Sequence, residues 1–317
     1  MVLGKKSWLT GVLLAAMVTT MTGCGQESKA PEVPKTQETQ NASVQPEKKK
    51  FDLEWSIQPK LGITKGDYYK IEEHFRQGHL GTLEVVKNDD KIVHVEFNET
   101  TRPNYYHRIY QDVPKRMSEY NFTMGERKGA AWIQSVVMVE KQMIEKQTLT
   151  GEFDMVSGAS NSIKQSMLPL AEQLKGSLNA PSNQKYYSIA EKLEGGLTGL
   201  LKIVVEDKKI ISVKYDEIFA DTPEEIDNTN LKKFYRQSKY DSVEYEEPSR
   251  IGFNVQMDAL NEQVVKTQNL LDLSELPAIG DTGNYAESGY TTRNTAWDNY
   301  LRMAQQLLNE MKKDGNF

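Results

Sequence analysis

Residues 68–97 read YYKIEEHFRQGHLGTLEVVKNDDKIVHVEF, and residues 186–215 read YYSIAEKLEGGLTGLLKIVVEDKKIISVKY. The second stretch repeats the first 118 residues further on, without a gap. Tyr68-Tyr69 meets Tyr186-Tyr187, Ile71 meets Ile189, Glu73 meets Glu191, and Gly78 and Gly81 meet Gly196 and Gly199. The register holds through Leu83/Leu201, Val86/Val204, Asp89/Asp207, Lys91/Lys209, Ile92/Ile210 and Val95/Val213. Identities in one ungapped register mean an internal duplication, and a unit of about 110–130 residues is of ordinary domain size. Two homologous domains are expected, over 51–178 and 185–313.

Both copies carry the same local signals. Thr82 to Val86 and Ile92 to Phe97 are β-rich runs around Asn88-Asp89-Asp90, a hairpin pattern; Leu200 to Val205 and Ile210 to Tyr215 repeat it around Glu206-Asp207-Lys208. Val93, Val95 and Phe97 alternate with His94 and Glu96, which predicts one buried and one wet sheet face. Further on, Ile133, Val136, Val137, Met143 and Ile144 form a helical stripe, and Phe253, Met257, Leu260 and Val264 form its counterpart. Antiparallel strands followed by helices give an α+β class, each copy an antiparallel sheet packed with helices.

Composition narrows the function. The chain has 317 residues, a formal net charge of -6 and one Cys, Cys24. A single thiol excludes a disulfide framework and a zinc site of several thiolates. The acidic balance argues against nucleic acid as a partner. Of the four His, His74 and His79 are five apart, which does not set them on one helical face, so no metal site is expected. No Ser-His-Asp arrangement, GxGxxG or Walker-type loop stands out, and no catalytic residue is assigned.

The N-terminus points to export. Lys5 and Lys6 precede an uncharged run from Trp8 to Met21, too short to span a bilayer, which takes about 20 residues. The run ends Met21-Thr22-Gly23-Cys24, which resembles a bacterial lipobox; residues 1–23 are then a lipoprotein signal peptide and Cys24 the lipidated residue. Residues 25–50 hold no aromatic residue, Leu or Ile and are rich in Gln, Glu, Lys, Thr and Pro. They cannot bury enough apolar area to order themselves, so 24–50 reads as a lipidated Cys and disordered tether. Lys48-Lys49-Lys50 is either a contact for anionic headgroups or a solvated end of that tether.

One run carries chemistry. Asp154-Met155-Val156-Ser157-Gly158-Ala159-Ser160-Asn161-Ser162 precedes a helix expected from about Ile163 to Leu174. The second copy offers Ser288-Gly289-Tyr290-Thr291, with Tyr285 where the first has Asp154 and Tyr290 in place of Ala159. A helix N-terminus with free N–H groups suits a phosphate; the plain alternative is a Ser or Thr helix cap.

The first run resembles the flavinylation motif of the FMN-binding domain family, Asp-x-x-Ser/Thr-Gly-Ala-Thr/Ser-x-Ser/Thr. Lipobox, tether and tandem copies together are similar to the family's pheromone-encoding surface lipoproteins, which carry electrons outside the cell. The resemblance implies FMN held by a phosphoester on Ser160, with Asp154, Ser157, Gly158, Ala159 and Ser162 as the recognition sequence. Ser288, Gly289 and Thr291 would serve a second FMN. It further implies a flavin transferase that makes the bond from FAD, so the chain is that enzyme's substrate and an electron carrier rather than an enzyme. The expected partners are a membrane quinone-linked dehydrogenase as donor, an extracellular acceptor or reductase, and the lipid bilayer through the anchor. Trp132, Tyr105, Tyr106, Tyr120 and Phe122 could stack on a flavin or simply form core. Two other functions stay open: a surface binding or structural lipoprotein without flavin, and a pheromone precursor through its signal peptide.

Overall fold

The computed structural model describes residues 56–123, 131–156, 159–245, 252–274, 276 and 295–317. The signal peptide, Cys24 and the tether lie outside them.

Each repeat opens with an antiparallel meander: β1 (Gly62–Phe75), β2 (His79–Asn88) and β3 (Lys91–Thr100), then β4 (Gln184–Leu193), β5 (Leu197–Glu206) and β6 (Lys209–Phe219). The second hairpin of each meander turns on two residues with positive φ, Asp89 and Asp90 in the first, Asp207 and Lys208 in the second. Two left-handed residues match the twist of paired strands, so both hairpins close in the shortest way. β1 and β4 pair antiparallel, with Lys65 opposite Tyr187, giving one six-stranded sheet of order β3-β2-β1-β4-β5-β6. The fold is mixed α and β on a wholly antiparallel sheet. The described residues from Ser56 onward belong to one compact unit.

Four longer helices are among the described residues: α1 (Trp132–Lys146), α2 (a continuous helical run over 160–174), α3 (Phe253–Thr267) and α4 (Thr295–Lys313). The same glutamine clamp fixes α1 and α3. Gln147 ends α1 in the left-handed region and exchanges side-chain hydrogen bonds with both backbone groups of Ile92, and Gln268 does this to Ile210 at the end of α3. Within α2 the helix widens to a π-turn over Ile163–Met167. Pro169 explains it, since proline has no N–H to give and crowds the carbonyl four residues back. No helix of the described residues is long and apolar enough to cross a membrane.

The helices cover one face of the sheet. Leu83, Val85, Val95 and Phe97 pack with Ile133, Val136, Met143, Ile163 and Leu170 in the first core; Leu201, Ile203, Val213 and Tyr215 pack with Leu260, Val264, Tyr300 and Leu307 in the second. The opposite face departs from the alternation expected of a wet surface. A bulge at Val86/Lys87 turns Val93 from its expected place beside Val95 to the other face, against Tyr68, Tyr186 and Val204. His94 and Glu96 do lie on that face, yet they are largely enclosed, because the sheet curls over them. His94 stacks on Tyr186 at 5.9 Å, and Tyr186 on Tyr68 at 5.6 Å.

The repeats also meet across loops. Ser238 N–H donates to the Met117 carbonyl at 2.9 Å, and Asn121 Nδ2 donates to the Arg236 carbonyl. The buried Glu119 carboxylate accepts from the Ser242 hydroxyl and from the N–H groups of Val243 and Glu244.

Candidate functional site

At one end of the first repeat, five segments converge on a cavity of about 330 Å³. β2 begins there with His79 and β3 runs out through Glu99, so the register that buries Phe97 aims Glu99 at the same helix-covered face. The returning chain pairs its Lys115 N–H with the Glu99 carbonyl at 2.9 Å, which brings the Lys115 side chain over the cavity floor. Trp132 opens α1, and Asn161 and Ser162 come from the first turn of α2.

The floor is a buried polar cluster. Glu99 is 2% exposed and faces two partners: His79 Nδ1 lies 2.9 Å from Oε1, and Lys115 Nζ bonds the same oxygen. Burial alone would push the Glu99 carboxyl up. The close approach of His79, the Lys115 ammonium and the Ser162 hydroxyl outweigh it and hold the carboxyl below its usual range. Lys115 also sits 4.6 Å from the Tyr120 ring centre. Trp132 Nε1 donates to Ser162 Oγ at 3.1 Å, tying α1 to the start of α2.

The walls are aromatic and the rim is cationic. Tyr105 and Tyr120 share a hydroxyl contact of 3.0 Å, and burial together with Tyr106 and Tyr120 pushes the Tyr105 phenol up, so it stays protonated. Tyr106 leans on Tyr105 with ring centres 4.4 Å apart and is 69% exposed at the mouth. Arg76 and Arg102 line the same cavity. Arg102 bonds Gln77 through Nη1, while its buried Nε has no hydrogen-bond partner. A buried guanidinium N–H without an acceptor marks a place for an anionic or carbonyl oxygen.

Of the sequence-predicted site residues, Ser162 lines this cavity. Ser160 is half-buried at the first position of α2, and its neighbours Asn161 and Ser162 line the cavity. The cap position belongs to the buried Ala159, which makes no side-chain cap, so Ser160 is not a helix cap, and α2 starts three residues before the expected Ile163. Asp154 is exposed; its N–H and carbonyl are held by the Gln142 side chain at 2.8 and 2.9 Å, which fixes the approach to α2 from α1. Ser157, Gly158, Ser288, Gly289 and Thr291 lie outside the described residues, as does the side chain of Phe122.

Of the aromatic residues weighed in the sequence, Tyr105, Tyr106, Tyr120 and Trp132 all line the cavity. Sequence reasoning missed Glu99, Lys115 and Arg102. One signal was available: Glu99 recurs as Glu217 at the repeat offset of 118, an acid kept near the end of the third strand in both copies.

No protein-family model matches the chain, and no curated protein matches it. Among solved structures it is similar to the CPE2226 protein from Clostridium perfringens, at 24% identity over 37% of this chain and 90% of that one, with a TM-score of 0.29. So slight a likeness says nothing about function.

Proposed function

We propose that the protein is a lipid-anchored extracytoplasmic flavoprotein built from two FMN-binding-type units, and that it carries electrons through FMN esterified to Ser160. One observation supports the reading: the residue that the motif singles out opens α2, next in sequence to Asn161 and Ser162, which line an aromatic cavity that Arg76 and Arg102 also line. The residues fit the group. Tyr105, Tyr106, Tyr120 and Trp132 offer ring faces for a planar heterocycle, and the orphaned Arg102 Nε offers a donor to its polar edge. The isoalloxazine, when bound, supplies the redox chemistry.

The chain's own part is positional. Ser160 Oγ would hold FMN as its phosphoester, attachment from FAD breaking the pyrophosphate linkage with release of AMP and passing the hydroxyl proton to the transferase. The first turn of α2 leaves N–H groups without intrahelical partners, which would suit the charge of a phosphoester on Ser160. The Trp132–Ser162 bond and the Glu99 cluster hold that turn in place, and the tyrosine wall excludes water from one side. A covalent link keeps the cofactor from dilution outside the cell. A donor and an acceptor on the cell surface then exchange electrons with a carrier tethered at Cys24.

Protein co-expressed with a flavin transferase is expected to be yellow, with the mass of FMN less water on the peptide that holds Ser160. A colourless chain of unmodified mass would favour a surface binding or structural lipoprotein instead.

A further inference from the structure

The second repeat has its own version of the cavity, about 460 Å³, lined by Glu194, Leu197, Glu217, Asp298, Asn299 and Arg302 among others. Its parts correspond to those of the first. Leu197 and Glu217 stand 118 residues after His79 and Glu99. The helices correspond at a different offset. Buried Ile163, Ser166, Met167, Leu170, Ala171 and Leu174 of α2 reappear 137 residues on as buried Tyr300, Met303, Ala304, Leu307, Leu308 and Met311 of α4. The glycines fix this register independently, because Gly81 lies against Ser166 and Gly199 against Met303.

Resting on the function proposed above, we infer that the chain takes one flavin and that the second cavity rejects the cofactor. By the helix register, the place of Ser160 belongs to Trp297, which carries no hydroxyl, and Thr291 falls six positions earlier in the chain. The charge is inverted as well. Arg76 becomes Glu194, Asn161 becomes Asp298 and Arg102 becomes Ala220. Of the cations that line it, Arg302 pairs with Glu191 at 3.0 Å and Lys192 donates to the Thr198 hydroxyl at 3.1 Å, while Lys239 pairs with the lining Glu217 at 2.6 Å. An esterified phosphate would therefore face carboxylates where the first cavity presents guanidinium groups. The ring wall is also changed. Phe253 opens α3 where Trp132 opens α1, and the Tyr215 hydroxyl occupies Glu217 Oε1 at 2.8 Å from inside the core.

Intact mass of protein co-expressed with the transferase tests this, with circular dichroism to show that each variant is folded. Wild type and Thr291→Ala should each carry one adduct, Ser160→Ala none, and reductive titration should consume one flavin equivalent per wild-type chain. A second adduct on wild type, or any adduct surviving in Ser160→Ala, would overturn the single-flavin inference while leaving the flavoprotein reading standing. A wild-type chain with no adduct would remove both.

Discussion

Glu96 on β3 and Lys202 on β5 are joined by a 2.8 Å salt bridge although three strands lie between them in the sheet. Laid flat, four strand spacings of about 4.8 Å would hold them roughly 19 Å apart. The sheet must therefore curl toward this face, and the pair pins its closure. Both side chains are largely buried, and Arg116 Nε lies 3.9 Å from the same carboxylate. Lys202→Met leaves Glu96 buried with only the more distant Arg116 and His94 beside it. It should cost about 3–5 kcal/mol in chemical denaturation, and the double variant Glu96→Gln, Lys202→Met should recover much of that. Equal losses in the single and double variants would show that the pair does not hold the curl.

Asp216 and His94 should give the stability curve opposing slopes. Burial, with the Asp241 charge behind it, pushes the Asp216 carboxyl up to about 7, against an ordinary value of 3.8. The fold thus favours its protonated form, and that stabilisation is complete below pH 3.8 and lost as pH rises to 7. Burial lowers His94 to about 4 from 6.5, so its contribution is complete above pH 6.5 and lost as pH falls to 4. Asp216→Asn keeps an oxygen for the N–H groups of Glu217 and Tyr240. Its stability relative to wild type should therefore rise by about 2–4 kcal/mol between pH 4 and pH 8, and what remains should fall more steeply in acid. Parallel urea midpoints for the two proteins across that range would refute the assignment.

Much of this arrangement is legible in the repeat itself. Alternation and the turn residues around Asp89 and Asp207 give the hairpins, and the stripes from Ile133 and Phe253 give α1 and α3, because each signal is local. The joining of β1 to β4 is not local, and neither is the curl, so nothing in either copy alone announces a single sheet. The bulge that moves Val93 is set by pairing with β2 rather than by its own neighbours. At the site, Ser160 and Ser162 are visible as a motif. Glu99, Lys115 and Arg102 become partners only when strand register and a returning loop bring them together, and spacing along the chain does not encode that. The register of α4 against α2 was hidden for a related reason. The Ser-Gly pairs suggest an offset of 131, whereas burial against the sheet sets 137.

Trp132 should position Ser160 through Ser162. Trp132→Phe keeps most of the buried ring and removes the Nε1–H donor, at about 1 kcal/mol. With limiting transferase, the fraction of chains carrying the adduct should fall by several-fold, and Ser162→Ala should give the same deficit. Adding Trp132→Phe to Ser162→Ala should change little, because the serine substitution has already removed the bond that Trp132 makes. If stability drops while loading is unchanged, the bond serves the fold alone.

The matched glycines Gly81 and Gly199 should respond unequally to alanine. A Cβ at Gly81 would collide with Ser166 Oγ on the π-turn of α2 and press on Leu170, so α2 must move. Gly81→Ala is expected to lose about 1–3 kcal/mol, and Ser166→Gly in the same chain should restore part of it. A Cβ at Gly199 would meet Leu193 Cδ1 and Met303 Sδ at 3.1 Å each, both far ends of flexible side chains. Gly199→Ala should therefore be nearly neutral in thermal unfolding. Since α2 carries Ser160, Gly81→Ala should also depress flavin loading, whereas Gly199→Ala should not. Equal destabilisation at the two positions would mean that α2 is no more tightly seated on its strand than α4.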